Sequence, residues 1–533
     1  MPRRSASHNK REEESVAVSP RLLSGGSFRP PFVRLAITLC LSVASATTAH
    51  AAETLLIKNG LFITMAPGQD EAFVGYMTVN ANGVITAVER GEAPASLSAD
   101  RTIDATDKFV APGFISAHSH LFTSPLRGLG HTETLYGWGR ANSRLNKHAT
   151  AEDAYWLSLH GSLDFLRNGI TTAYDFTLAP TVGGQAVGVG EVVPPPVMRP
   201  GPFEENQMRS KIDAGLRFIN SVSLPRLGSP EEIIARFDRL FTYAKTTYGD
   251  HPLFLKMAIS GGLQRAPTKD TAYLEAKVMK KYGVLNQSHF LESPERINEQ
   301  QEKFYWYEEA GALGPNFIFG HFIQTTPDIV ARAAKAGASM SWQPTSNSRL
   351  ASGAADIPLY RSFGMKVGVG LDDQSCTDIS DPFQNLRIGL ALIRTKYKDA
   401  KALHIRDMLY LHTLGSADIL HIADKVGSLE KNKYADFLIV DYRNPDTGPL
   451  HDPIATYVLA CDLRNLKQVY VGGKLVADGT RMLTFDEKKV RAEVDVRMAR
   501  MEAAAVAEEQ KAAAGVAHPP HPFAVVSAST RQP

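Results

Sequence analysis

Between residues 113 and 371 the chain repeats one pattern eight times, a short apolar run followed by a stretch with helical spacing. The runs fall at 113–120, 170–175, 216–222, 253–259, 284–290, 317–321, 338–342 and 365–371. Helix starts are legible between them. Ser229-Pro230-Glu231-Glu232 offers an N-cap, a first-turn proline and a capping-box carboxylate. Ser293-Pro294 and Thr326-Pro327 repeat that start, and Thr150 with Asp153 is a weaker version, after which Trp156, Leu159, Leu163 and Leu166 keep helical spacing up to Gly169. Eight strands alternating with helices predict an α/β fold, a (β/α)8 barrel over 113–424 whose chemistry sits at the carboxyl ends of its strands. A doubly wound open sheet is the competing reading, but no GxGxxG follows a strand to support it.

The flanks have a different texture. Residues 54–103 alternate apolar and polar in short segments, with Asn59-Gly60 and Asn82-Gly83 predicting hairpin turns, and the same texture returns at 435–441 and 469–476. Residues 177–208 are rich in Gly, Pro and Val without helical periodicity; they read as a long loop after the second strand, either a substrate wall or a disordered insertion. An Ala- and Glu-rich helix is expected from about 485 to 514, followed by a disordered end from His518.

At the amino end, Arg29 and Arg34 precede an uncharged apolar run over 35–46 and then Ala49-His50-Ala51, the pattern of a signal peptide over 1–51 cleaved before Ala52. The mature chain is therefore expected to be exported, periplasmic or secreted. No other apolar run reaches spanning length, so no membrane partner is expected. Lys and Arg number 58 against 56 Asp and Glu, a formal charge of +2, which leaves no field to hold nucleic acid. The aromatic run Phe304-Tyr305-Trp306-Tyr307 has no basic residues interleaved and reads as core and interface rather than a base-stacking surface. The three cysteines, Cys40, Cys376 and Cys461, form no CxxC, so any metal must be held by His and carboxylate.

Those ligand types gather where a barrel would use them. His118 and His120 close the first strand in Ala117-His118-Ser119-His120, and side chains two apart on a strand share a face. A lone HxH is weak evidence, but His289 closes the fifth strand, His321 the sixth and Asp372 the eighth. Together these place a metal site on one rim of the barrel.

The same residues carry a resemblance to the metal-dependent amidohydrolase superfamily, and within it to the cytosine deaminase and chlorohydrolase-like branch. It rests on Pro112-Gly113-Phe114-Ile115-Ser116-Ala117-His118-Ser119-His120, Leu126-Arg127-Gly128-Leu129, His289-Phe290-Leu291-Glu292, Pro344-Thr345-Ser346-Asn347-Ser348-Arg349-Leu350, Gly370-Leu371-Asp372, Gly427-Ser428-Leu429-Glu430 and Ala435-Asp436, and runs from about residue 54 to 479. It implies that 52–112 and 425–480 form one small β-sandwich beside the barrel, leaving 481–533 as a helical, then disordered, tail. It implies one divalent ion, zinc ahead of iron, on neutral His118, His120 and His289 with Asp372, activating a water. Asp372 would take that water's proton, Glu292 would deliver a proton to the leaving nitrogen, and His321 would hydrogen-bond the nucleophile or the developing oxyanion. The implied reaction is hydrolysis of a non-peptide C–N bond in a small molecule, first of all deamination of an N-heterocycle.

Two alternatives stand beside it. Lys256 on the fourth strand could be carboxylated and, with His321, bridge two ions in a binuclear enzyme acting on an amide, urea or carbamate. More remotely, the barrel could be a non-catalytic periplasmic binding protein. The chain also departs from the branch: Asp373 stands where Gly is usual, Ser341-Trp342-Gln343 precedes Pro344, and position 324 is Gln rather than His. Trp342, Arg349 and Gln324 are expected to face the ligand. Homo-oligomers are common under this resemblance, and the number of chains is left open.

Overall fold

The computed structural model describes residues 53–183, 195–479 and 481–515. The expected signal peptide, residues 184–194 of the long loop and the end from His518 lie outside the described residues.

Barrel strands one to seven are Phe114–His120, Ile170–Phe176, Arg217–Ser223, Phe254–Gly261, Leu285–Phe290, Phe317–His321 and Ser339–Trp342; the eighth comes in two pieces, Val367–Val369 and Asp372–Asp373. Successive strands pair in parallel. The first piece of strand eight pairs with strand seven and the second with strand one, Asp372 opposite Ser119 and Asp373 opposite His120, which closes the ring. The break falls at Gly370, where a Cβ would lie 2.7 Å from that of His118, so only glycine lets strand eight cross so close to the first histidine. Strand two is buried at every residue, as a parallel strand covered on both faces must be.

The helices between the strands start where their caps predict. Pro230–Tyr248 has a full capping box from Ser229 and Glu232, Ala151–Arg167 has one from Thr150 and Asp153, and Thr326 accepts from Ile329 N ahead of Pro327–Ala336. Ser293-Pro294 does not start a helix. Ser293 and Glu295 satisfy each other, and Ile297–Glu309 begins after Arg296, whose φ is +59°. The long loop is shorter than expected, because Thr181–Val182 pairs with Val197–Met198 and Phe203–Ala214 is helical.

The two flanks build one sheet of nine strands, joined where Lys108–Pro112 lies antiparallel to Phe437–Asp441. The sheet encloses its own core, with Phe437 stacked on Tyr470 at 4.3 Å between centroids. Asn82-Gly83 turns a hairpin, but Asn59-Gly60 does not: Asn59, at φ +62°, is the bulge inside strand Leu55–Phe62. Among the described residues no helix is long and apolar enough to cross a membrane.

The barrel is pinned to this sheet by a buried ion pair. Arg217 Nε and Nη2 donate to the two carboxylate oxygens of Asp436 at 2.7 and 2.8 Å, and Gly472 N donates to the same carboxylate at 2.7 Å. Removing one partner leaves the other charge buried and alone, so Asp436→Ala is expected to cost about 3–5 kcal/mol of stability. Denaturant unfolding monitored by circular dichroism checks this; an unchanged midpoint contradicts it.

Candidate active site

At the carboxyl rim the ring nitrogens Nε2 of His118, His120 and His289 converge: 118 to 289 is 3.1 Å, 118 to 120 is 3.3 Å and 120 to 289 is 3.0 Å. Asp372 Oδ1 lies 3.3 Å from His118 Nε2 and 3.7 Å from His120 Nε2. The tautomer of His118 follows from its neighbour. Gln287 Nε2 donates to Ala117 O at 2.9 Å, so its Oε1 is the acceptor for His118 Nδ1–H and the Nε2 lone pair is left facing the cluster.

Those side chains fit a divalent cation. Tetrahedral coordination with metal–nitrogen distances of about 2.0–2.1 Å sets ligand atoms about 3.3–3.4 Å apart, close to the spacings found. Asp372 Oδ1 is buried without a hydrogen-bond partner, which an ion would supply. Burial, then the neighbouring His118, pushes His120 down to about 3, and burial holds His289 well below its ordinary value, so both rings are neutral and their lone pairs are available. Burial opposes ionisation of Asp372, yet the imidazoles of His321 and His118 hold it well below the usual carboxylate range.

Two further groups face the cluster. Asn347 Nδ2 donates to His321 Nδ1 at 2.9 Å, so the buried Nε2 of His321 carries the hydrogen, 3.6 Å from Glu292 Oε2 and 3.8 Å from Asp372 Oδ2. Burial, reinforced by the charge of Asp372, pushes the Glu292 carboxyl well above the usual range. Ser346 Oγ donates to Asp372 Oδ2, which orients that carboxylate. The backbone is strained here: His321 and Asp372 take φ of +67° and +68°, and Leu291, just before Glu292, takes +52°.

The cluster opens into a cavity of about 270 Å³ walled by Phe122, Trp138 and Phe176 on one side and by Arg226, Gln264 and Arg265 on another. Gln264 is 5% exposed, and neither its amide oxygen nor its nitrogen has a partner. The structure thus gathers His118, His120, His289, Glu292, His321 and Asp372. It does not gather Lys256, whose Nζ donates to the carbonyls of Leu420 and His421 at 3.2 and 3.0 Å and which does not line the cavity, so the alternative reading with Lys256 bridging two ions is corrected. Trp342, Arg349 and Gln324 are also off the cavity lining: Trp342 is buried in the core, Arg349 donates to Gly130 O, and Gln324 to Ser352 O. Of the described residues in 177–208, Thr177 alone lines the cavity. Sequence reasoning missed Gln287 and Asn347, although Gln287 shares a strand face with His289, two residues on. It also missed the Gln264 loop, which carries no local motif.

The amidohydrolase family model matches residues 109–476, well over half of the chain. The chain is 27% identical over 452 residues to a 5-methylthioadenosine/S-adenosylhomocysteine deaminase of Syntrophobacter fumaroxidans, covering 82% of this chain and 95% of that protein. A protein of the same description from Desulforudis audaxviator is 26% identical, with 82% and 96% covered. Among solved structures, a zinc-bound adenosine deaminase of Xanthomonas campestris superposes with a TM-score of 0.72 at 21% identity, over 84% of this chain and 98% of that one. A zinc complex of atrazine chlorohydrolase from Arthrobacter aurescens TC1 reaches 0.68 at 19% identity, over 83% and 100%. At those identities the structures share the fold with this chain, while the family match reaches further: this chain belongs to the amidohydrolase family and is a hydrolase of C–N bonds other than peptide bonds.

Proposed function

We propose that the protein hydrolytically deaminates a small N-heterocyclic amine, using one zinc ion rather than iron at His118, His120, His289 and Asp372. One observation carries this reading: the buried carboxyl of Glu292, which burial pushes well above the usual range, and the ligand cluster face each other across His321 inside a single cavity. A divalent ion at the cluster supplies a water acidic enough to ionise near neutral pH. The chain's own groups do the rest. Asp372, ionised, accepts a proton at Oδ2, 3.8 Å from His321 Nε2. His321 Nε2–H donates to the oxygen that gains negative charge. Glu292 gives its proton to the exocyclic amino group, whose bond to the ring carbon then breaks and which leaves as ammonia. The unpartnered amide of Gln264, with Arg226 and Arg265 beside it, supports recognition of a polar heterocycle edge. The deaminase descriptions of the relatives support the same reading. Residues 1–51 support export, and hence substrates met outside the cytoplasm.

The test is a panel of aminopurines, pterins, pyrimidines, triazines, aryl ureas and N-acyl compounds, with ammonia and product masses followed. Ammonia released one for one with a heterocyclic product is the expected result. Amine or acid fragments without ammonia overturn it in favour of an amide or urea hydrolase.

A further inference from the structure

Helix Leu135–Asn146 forms one wall of the cavity; Leu135, Trp138, Gly139, Asn142, Ser143 and Asn146 line it, the spacing of a single helix face. On that side it is tied to the ion site. Trp138 Nε1 donates to Ser375 O at 3.2 Å and Ser375 Oγ donates to Asn142 Oδ1 at 3.0 Å, three residues beyond Asp372.

Away from the cavity the same helix meets Glu487–Gly515, which lies beyond the family-matched segment ending at 476. Arg144 donates to both oxygens of Glu509 at 2.6 and 3.2 Å and to Glu502 at 2.8 Å, and Lys147 Nζ donates to Glu508 at 2.7 Å. Leu145 is buried against Ala505 beside these pairs. The long helix is itself fixed to the barrel: Arg500 pairs with Asp153 and donates to His148 O, Arg497 Nη2 donates to Glu152 at 2.6 Å, and Val490, Val494 and Met501 are buried.

We infer that the C-terminal helix is a positioning element for the active site, gripping the wall helix from outside through Arg144, Glu502 and Glu509 and so setting where Trp138 and Asn142 stand in the cavity. Complementary charge suits it to that task, because the wall helix offers Arg144, and its C-cap Lys147, to Glu502, Glu508 and Glu509. A single exposed pair contributes little; several exposed pairs flanking the buried Leu145–Ala505 contact can together hold a helix in register.

The test begins with the full chain carrying Arg144→Glu. Amide hydrogen exchange over Leu135–Asn146 is expected to quicken about tenfold while Ile297–Glu309 is unchanged, the signature of a local opening. With any substrate the panel identifies, KM is expected to rise about three- to tenfold with kcat within about twofold, since binding geometry is disturbed and the proton-transfer groups are not. Exchanging the charges, Arg144→Glu with Glu502→Arg and Glu509→Arg, should restore both readouts. Arg144→Gln gives the same direction at smaller size and carries the test if the reversed variant does not fold. Unchanged exchange in the wall helix, failure of the swap to restore it, or a fall in kcat at constant KM overturns the inference. The kinetic arm rests on the cavity being the substrate site, whereas the exchange arm needs no substrate. A shifted exchange rate with no turnover on any heterocycle would count against the deaminase reading alone.

Discussion

Glu292→Gln is expected to lower kcat by about a hundredfold or more, the scale of a lost general acid, while the protein keeps its full metal content. The substitution retains the size of the side chain and its place 3.6 Å from His321 Nε2, but an amide cannot deliver the proton that lets an amine leave. Glu292 is not among the four side chains whose atoms converge as the histidine-rich ligand group, so the ion should be undisturbed. Steady-state rates on the identified heterocycle, with elemental analysis of the same preparation, separate the two effects. A near-normal rate removes Glu292 from the mechanism. Asp373 then becomes the better donor, because burial, reinforced by the Asp372 charge, pushes its carboxyl well above the usual range and it lies 3.6 Å from His120 Nε2.

What sequence could reveal here follows from how local each signal is. Barrel strands declare themselves as short, mostly buried segments that start apolar and alternate with helical stretches, and the ligands His118, His120, His289 and Asp372 sit toward the ends of such segments. Caps are equally local, which is why Ser229, Thr150 and Thr326 were legible. Ser293-Pro294 has the same letters, but the left-handed turn at Arg296 delays the helix, and no propensity announces that. Asn59-Gly60 fails for a related reason: a residue at positive φ serves a bulge as well as a turn, and strand pairing on both sides decides between them. The cavity wall is the least legible part. Trp138, Arg226 and Gln264 come from segments far apart in the chain, and only closure of the barrel brings them together. Lys256 stood as an alternative ligand because strand position alone does not say toward which end of a barrel a long side chain reaches. Here it turns to the carbonyls of Leu420 and His421.

Asp372→Asn should do more damage than any other single change in the site. Asparagine keeps the size of the side chain and one oxygen, which can face the histidines while its NH2 donates to the Ser346 hydroxyl in place of the bond that Oδ2 accepts, so the fold is expected to persist. What disappears is the one negative charge of the ligand cluster and the proton acceptor at Oδ2. Affinity for the ion should fall by more than the roughly 10–100-fold that loss of an orienting partner costs. Turnover should fall by on the order of 10⁴, the upper end of what a lost proton-transfer group removes, even when zinc is added back in excess. Gln287→Met provides the graded comparison, for it leaves all four ligands and removes the acceptor that fixes His118 with its Nε2 lone pair inward, together with the bond from Gln287 Nε2 to Ala117 O. That variant should lose metal affinity by about 10–100-fold and regain its rate once the ion is replenished. Competition with a chromophoric chelator gives the affinities, and rates at saturating zinc give the residual defect. Tight metal and normal turnover in Asp372→Asn would remove Asp372 from both roles. An Asp372→Asn defect fully rescued by zinc would confine it to holding the ion, and the proton would then need another acceptor; His321 is excluded from that part because Asn347 Nδ2 already takes its Nδ1 lone pair and leaves Nε2 a donor.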